Sequence, residues 1–286
     1  MIMEDHRILM PLADRIIDLA LAEDLAYGDP TTASVLPVGI KARGRVVTRE
    51  TIVVAGGPFF ARVFEKLDPG VEVQPIVEEG STAKTGDRIF EVKGDGAVLL
   101  AAERTALNLL SHLSGVATAT RRYSDAVPEG TKTRITYTRK TLPGLGPLER
   151  YAVRKGGGFD HRPGLGAGIL IKDNHIALVG SVKRAVQEAR QRAPHPLRIE
   201  VEVVDEAGVK EALEAGADAI LLDNMTADEA VRCASIIGGK AWIEVSGGVK
   251  IGDVAALARA GVDIVSVGGI IHSAPSVDVS FDISIG

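Results

Sequence analysis

Between Thr131 and Lys172 the chain carries nine Lys/Arg residues and only two acidic ones, Glu149 and Asp160, although the whole sequence has 33 Lys+Arg against 38 Asp+Glu and a net charge of −5. A cationic stretch on an acidic chain points to a pocket for a small, multiply charged anion. A nucleic-acid surface would push the whole domain basic. The residues best suited to hold an anion are Thr138-Arg139-Lys140, His161-Arg162 and Lys172. An Arg fork pairs with a carboxylate through two parallel N–H bonds, while Lys acts as a mobile point charge. A charge run by itself reads as a solvated face. Here it is interleaved with Gly156-Gly157-Gly158 and Gly164-Leu165-Gly166, whose backbone can approach a phosphate closely.

Two carboxylates, Glu202 and Asp223, each follow a run of apolar residues and so fall at strand ends. Facing a basic pocket, they could hold sugar hydroxyls or Mg²⁺-bound water. The plainer alternative is a helix cap, for which Asp223-Asn224 ahead of Thr226 is well placed. Ser246-Gly247-Gly248 and Gly268-Gly269 each lie between a strand and a helical run. Such turns form phosphate sites in barrels, and they also occur as tight turns that need glycine for geometry alone. Lys172, after the apolar run 169–171, also suits a Schiff-base lysine. Lys93 faintly suits a carrier hairpin, but no half-repeats flank it and an ordinary turn is the better reading. No His/Cys/Asp spacing matches a zinc site.

The elements that must position these groups fall into two rhythms. Leu12–Leu25 has apolar residues at helical spacing and is stopped by Gly28 and Pro30. Arg43–Arg49, Ile52–Ala55, Val71–Val77 and Arg88–Val92 read as strands, with Gly-Asp turns at 86–87 and 94–95. Val98–Leu113 reads as a helix ended by Gly115, with Arg104, Asn108, Ser111 and His112 on one polar stripe. Later, Ile199–Val203, Ala219–Asn224, Trp242–Gly248 and Asp263–Gly269 are β-rich runs about 20 residues apart. The helical runs Glu206–Ala215, Ala227–Ile237 and Gly252–Ala260 separate them. Repeated strand–helix units mean parallel strands with right-handed crossovers. A barrel is preferred to a doubly wound sheet, because Glu202, Asp223, Ser246 and Gly268 sit at the carboxyl ends of successive strands, where barrels bind ligands.

The bulk numbers are those of an ordinary globular α/β protein: 45% hydrophobic, 25% charged and 32 glycines over 286 residues. A single cysteine, Cys233, allows no internal disulfide and suits a reducing compartment. No signal-like segment and no apolar run long enough to span a bilayer is evident, so a cytoplasmic protein is expected.

Taken in order, longer blocks resemble the quinolinate phosphoribosyltransferase family, also called carboxylating nicotinate-nucleotide pyrophosphorylases. The blocks are Glu-Asp-Leu-Ala-Tyr-Gly-Asp-Pro-Thr (23–31), Glu-Arg-Thr-Ala-Leu-Asn-Leu-Leu (103–110), Leu-Ser-Gly-Val-Ala-Thr (113–118) and Thr-Arg-Lys-Thr-Leu-Pro-Gly-Leu (138–145). Tyr-Ala-Val-Arg-Lys-Gly-Gly-Gly (151–158), His-Arg-Pro-Gly-Leu (161–165) and Leu-Ile-Lys-Asp-Asn-His-Ile (170–176) follow. Glu-Val-Glu-Val (200–203), Leu-Leu-Asp-Asn-Met (221–225), Ser-Gly-Gly (246–248) and Val-Gly-Gly-Ile-Ile-His-Ser (267–273) complete the set.

The resemblance implies an α/β sandwich domain, residues 1–114 joined by 275–286, followed by an open, TIM-like α/β barrel over 115–274. This is the type II phosphoribosyltransferase architecture. It implies that quinolinate and phosphoribosyl pyrophosphate give nicotinate mononucleotide, pyrophosphate and CO₂, a step of NAD synthesis needing Mg²⁺. It further implies a homodimer or hexamer in which Arg104 reaches a partner's site. Arg139, His161, Arg162 and Lys172 would hold the base's carboxylates, with Thr138 beside them and Lys140 near the pyrophosphate. Glu202 and Asp223 would meet the ribose, near a Mg²⁺ held mainly by substrate phosphates. Lys140, Lys172, Glu202 and Asp223 would be the catalytic set. Ser246, Gly247, Gly248, Val267, Gly268, Gly269 and His272 would hold the 5′-phosphate. The chain departs from the family pattern at Tyr137, where many members have Asp, and at Gly146, where Arg is common. It departs again at Asp160 for Asn and Ala167 for Asp. The alternatives are a paralogous transferase from a molybdenum-associated gene cluster acting on another base, a Schiff-base aldolase, and a non-catalytic phosphosugar sensor. The first tends to lose the Lys172–His175 block, which this chain keeps.

Overall fold

The computed structural model describes residues 6–286, and contacts divide the chain into two units. The first comprises the residues up to Arg121, Thr141–Gly157 and Ile270–Gly286. The second comprises Arg122–Lys140 and Gly158–Gly269.

In the first unit, strands β1 (Lys41–Thr48), β3 (Glu72–Pro75) and β5 (Arg88–Asp95) join the final strand Val279–Ile285 in an antiparallel sheet. Its order is final strand, β1, β5, β3, and β2 (Ile52–Val53) pairs separately with β4 (Thr82–Ala83). The alternating burial of β1 is the period-2 pattern of a sheet with one covered face. Lys93 lies within β5, opposite Arg43 and Glu72 and 3.3 Å from Glu91, so it is no hairpin tip and the carrier reading falls. The expected turn at 94–95 is likewise the end of β5.

The polar-striped helix is much longer than expected, running Gly96–Asp125. Gly115 does not end it. A Cβ there would stand 2.1 Å from the carbonyl oxygen of Pro275, so the glycine admits a crossing backbone. The sequence-based domain boundary at 114/115 therefore falls inside a continuous helix. A helix not foreseen from the sequence, Gly57–Leu67, buries Phe59, Phe60, Val63 and Phe64. Glu79 anchors its start by accepting the Gly57 and Gly56 N–H groups at 2.6 and 3.1 Å and the Tyr151 hydroxyl at 2.7 Å.

The second unit is a six-stranded parallel sheet of β6 (Arg134–Thr136), β7 (Ile169–Ile171), β8 (Ile199–Val203), β9 (Ala219–Asp223), β10 (Trp242–Ser246) and β11 (Ile264–Ser266). Their order is β6-β11-β10-β9-β8-β7, and β6 and β7 do not pair, so the barrel is open. Helices Glu206–Glu214, Ala227–Ile237 and Ile251–Arg259 fall within a few residues of their expected ranges. Among the described residues no helix is long and apolar enough to cross a membrane.

Candidate active site

The parallel register brings distant carboxyl-end residues together. β7 pairs Leu170 with Glu200 and Ile171 with Val201, which sets Lys172 beside Glu202. Lys172 Nζ forms an ion pair with the Glu202 carboxylate. β9 and β10 pair Asp223 with Ser246, and β6 and β11 pair Thr136 with Ser266. Side chains two apart on a strand share a face, so Glu200 and Glu202, Glu244 and Ser246 point the same way in pairs.

These ends surround a cavity of about 400 Å³ lined by Thr138, Arg139, Lys140, His161, Arg162 and Lys172 on the cationic side. Glu202, Asp223, Asn224, Ser246 and Gly247 line it elsewhere. The volume suits a small ligand. The long cationic run is thus divided. Arg139, Lys140, Arg162 and Lys172 enter the cavity, whereas Arg150, Arg154 and Lys155 lie on helix Gly146–Lys155 of the other unit. Glu149, its acidic member, is fully buried, with Oε1 2.9 Å from His112 Nε2.

Asp223 does not cap the following helix. The cap is Thr226, whose hydroxyl accepts the Glu229 N–H. Asp223 instead accepts from Asn224 Nδ2 at 2.5 Å. Asn224 has a left-handed backbone (φ +54°) and donates its N–H to the Ser246 carbonyl. A Cβ on Gly247 (φ +90°) would stand 2.4 Å from Asn224 Oδ1, so here glycine is required by both backbone and space. Gly248 lines an adjoining cavity of about 320 Å³ with Gly247, Thr226 and Lys250.

Other expected residues lie elsewhere. Val267 is buried, its N–H spent on the Thr136 carbonyl, and neither it nor Gly268 and Gly269 line the main cavity. His272 is exposed in the first unit, 2.7 Å from the Ser273 hydroxyl. Arg104 is also in that unit, with its side chain 65% exposed and 3.7 Å from Glu103.

Sequence reasoning missed Glu200 and Glu244. Each alternates with apolar residues in a strand two places before a recognised site residue, and that spacing was the available signal. Their ligand atoms and those of His161 all lie within 4.8 Å of one another. Both oxygens of Glu244 are engaged without an ion: Ser266 Oγ donates to Oε1, and His161 Nε2 lies 3.0 Å from Oε2. Burial, then the charge of Glu244, pushes the Glu200 carboxyl up to about 9, against the pull of Arg162 and Lys172. Arg162 is drawn below its ordinary range by burial first and by Arg139 second, and it remains a cation.

Glu200 carries a stability signature of definite sign. The folded chain holds its proton between the ordinary value of 4.5 and about 9, where the unfolded chain does not. Its contribution is complete below 4.5 and is lost as pH rises through about 9. Glu200→Gln, neutral at every pH, is therefore expected to be more stable than the native chain by over about 1 kcal/mol near pH 8.5. The gap closes toward pH ~5. Thermal melts across this range check it, and a gap that widens toward acid contradicts it.

Family models of quinolinate phosphoribosyl transferase match residues 29–114 with the N-terminal domain and 116–282 with the C-terminal domain. The chain belongs to this family. Within the quinolinate phosphoribosyl transferase family it is 42% identical over 284 residues to the probable carboxylating nicotinate-nucleotide pyrophosphorylase of Methanocaldococcus jannaschii, covering 96% of this chain and 99% of that one. It is also 42% identical over 271 residues to the Mycobacterium leprae enzyme, covering 92% and 94%. The solved nicotinate-nucleotide pyrophosphorylase of Ehrlichia chaffeensis superposes with a TM-score of 0.90 at 39% identity, covering 95% and 98%.

Tyr137 and Asp160, expected from the sequence as two separate departures, meet in the structure. The Tyr137 hydroxyl is 3.2 Å from Asp160 Oδ1 and donates to the His161 carbonyl at 2.9 Å. The Tyr137 hydroxyl thus ties down the loop carrying Asp160 and His161. Lys172, ion-paired with Glu202 rather than seated in an apolar pocket, lacks the setting of a Schiff-base lysine.

Proposed function

We propose that this chain transfers the phosphoribosyl group of phosphoribosyl pyrophosphate to quinolinate with loss of CO₂, giving nicotinate mononucleotide and pyrophosphate in cytoplasmic NAD synthesis. The observation that carries the reading is one cavity with four cations and His161 on one side and Glu202 and Asp223 on another. A dicarboxylate base needs the first set. A ribose whose anomeric carbon turns cationic as pyrophosphate leaves needs the second.

Arg139, Arg162, His161 and Lys172 hold the base's two carboxylates. They keep its ring nitrogen aimed at the anomeric carbon, and this positioning supplies much of the rate. Lys140 faces the departing pyrophosphate. Ser246 and the Gly247–Gly248 turn receive the 5′-phosphate. The C–N bond forms as the C–O bond to pyrophosphate breaks. The 2-carboxylate then leaves as CO₂, its bonding electrons stay on the ring carbon, and a proton replaces it. Surrounding cations ease that loss by opposing the charge left on the ring.

The donor set fits Mg²⁺ brought in with the substrate. Glu202 is already engaged by Lys172, so phosphate oxygens supply most of the ligands, with Asp223 facing that region of the cavity. The ion's contribution is neutralisation of the leaving phosphates. A homodimer or larger assembly, with Arg104 entering a partner's cavity, completes the reading.

Quinolinate labelled in its 2-carboxyl group tests it. One labelled CO₂ per nucleotide formed is expected. Nucleotide formed with the label retained would contradict it.

A further inference from the structure

The lining of the same cavity includes a buried carboxylate, Glu244, to which the proposed transfer gives no role. Glu244 is 2% exposed in the middle of β10. Ser266 Oγ–H holds one of its oxygens, and His161 Nε2 meets the other at 3.0 Å. Burial pushes the Glu244 carboxyl up, but its bonds to His161, then Ser266 and Glu200, outweigh this and hold it below the ordinary range. Glu244 is therefore the acceptor and Nε2–H the donor. The main chain of His161 is held as well, its carbonyl accepting from the Tyr137 hydroxyl at 2.9 Å.

We propose that Glu244 is a positioning residue that anchors His161 through Nε2 and so makes the ring meet an anionic substrate as an imidazolium, through Nδ1–H. With Nε2 turned onto Glu244, Nδ1 is the only ring nitrogen left for a ligand. A neutral ring would present a lone pair there and repel a carboxylate, whereas a protonated ring presents an N–H. The charged and titratable groups lining the cavity with His161 are Tyr137, Arg139, Lys140, Arg162, Lys172, Glu202, Asp223 and Glu244, with Glu200 3.9 Å from Nε2 and Asp160 next to His161 in the chain. Against the four cations of the cavity, the Glu244 carboxylate 3.0 Å from Nε2 supplies the opposing charge. The base's carboxylate is thus bound together with one solvent proton, which rests on Nδ1 while the complex lasts. The inference rests on the proposed dicarboxylate substrate only for the identity of that anion.

Two-bond ¹H–¹⁵N spectra of the histidine-labelled chain test it, with His161 assigned by its loss in His161→Asn. At about pH 8.5 the free chain is expected to show the Nε2–H tautomer, and quinolinate is expected to convert it to the doubly protonated ring. An Nδ1–H tautomer in the free chain, or a neutral ring in the complex, overturns the proposal. Glu244→Gln keeps the shape and removes the charge. Its KM for quinolinate should rise by at least about tenfold near pH 8 and less near pH 6, with the KM for phosphoribosyl pyrophosphate unchanged. Equal losses in both constants, or at both pH values, would make Glu244 merely structural and overturn the proposal. If that variant does not fold, the spectra of the native chain decide. If the native chain fails to turn over quinolinate, the functional reading falls, and the free-chain tautomer still tests the anchoring.

Discussion

Lys172→Ala is expected to lower turnover with quinolinate by about a thousandfold or more, equivalent to roughly 4 kcal/mol of transition-state stabilisation. Two losses combine. The cavity loses the cation that opposes charge left on the ring after CO₂ departs. Glu202, only 7% exposed, loses the ammonium that pairs with it. Without that partner the Glu202 carboxylate is no longer held in place toward the forming cationic sugar. Arginine is not expected to rescue, because its planar fork cannot reproduce a compact charge on Glu202. Single-turnover rates at saturating substrates give the number. A loss smaller than about tenfold, or ~1.4 kcal/mol, would make Lys172 a peripheral charge.

Arg104→Ala is expected to abolish turnover while the chain keeps its native melting temperature. Its side chain is largely exposed and forms only a loose contact with Glu103, so little stability depends on it. Under the proposed shared site, it would add to another copy's cavity a cation that the chain's own cavity lacks. Complementation separates this from an ordinary loss. Unfolding and refolding a mixture of Arg104→Ala and Lys172→Ala chains should restore about a quarter of native activity. About half of the resulting dimers are mixed, and each holds one intact site. Near-normal turnover by Arg104→Ala alone, or no recovery on mixing, would contradict a shared site.

What the sequence made legible was whatever had a local signature. The strands β8, β9 and β10 and the helices between them have clean periodicity and glycine stops, and they fall close to their expected places. Lys140, His161, Arg162, Lys172, Glu202 and Asp223 stood out as charges at strand ends or beside glycines, and all six line one cavity. The failures share a physical cause, which is dependence on a partner remote in sequence. Gly115 looked like a helix stop because its role is set by Pro275, 160 positions away. Glu244 looked like an ordinary strand residue because its partners, His161 and Ser266, come from other strands and loops. Helix Gly57–Leu67 went unread although Phe59, Phe60, Val63 and Phe64 fall at helical spacing, and its start is anchored by Glu79, more than twenty positions away. Tyr137 and Asp160, 23 positions apart, are joined by the tyrosine hydroxyl, a pairing with no local signature.

The most direct test is product formation from quinolinate, phosphoribosyl pyrophosphate and Mg²⁺, with nicotinate as the competing base. The cavity's paired cations and His161 predict nicotinate mononucleotide from quinolinate and none from nicotinate, which lacks the second carboxylate. Equal use of nicotinate, or no nucleotide from quinolinate, would contradict the account and make the Tyr137–Asp160 pair the place to look for a different base.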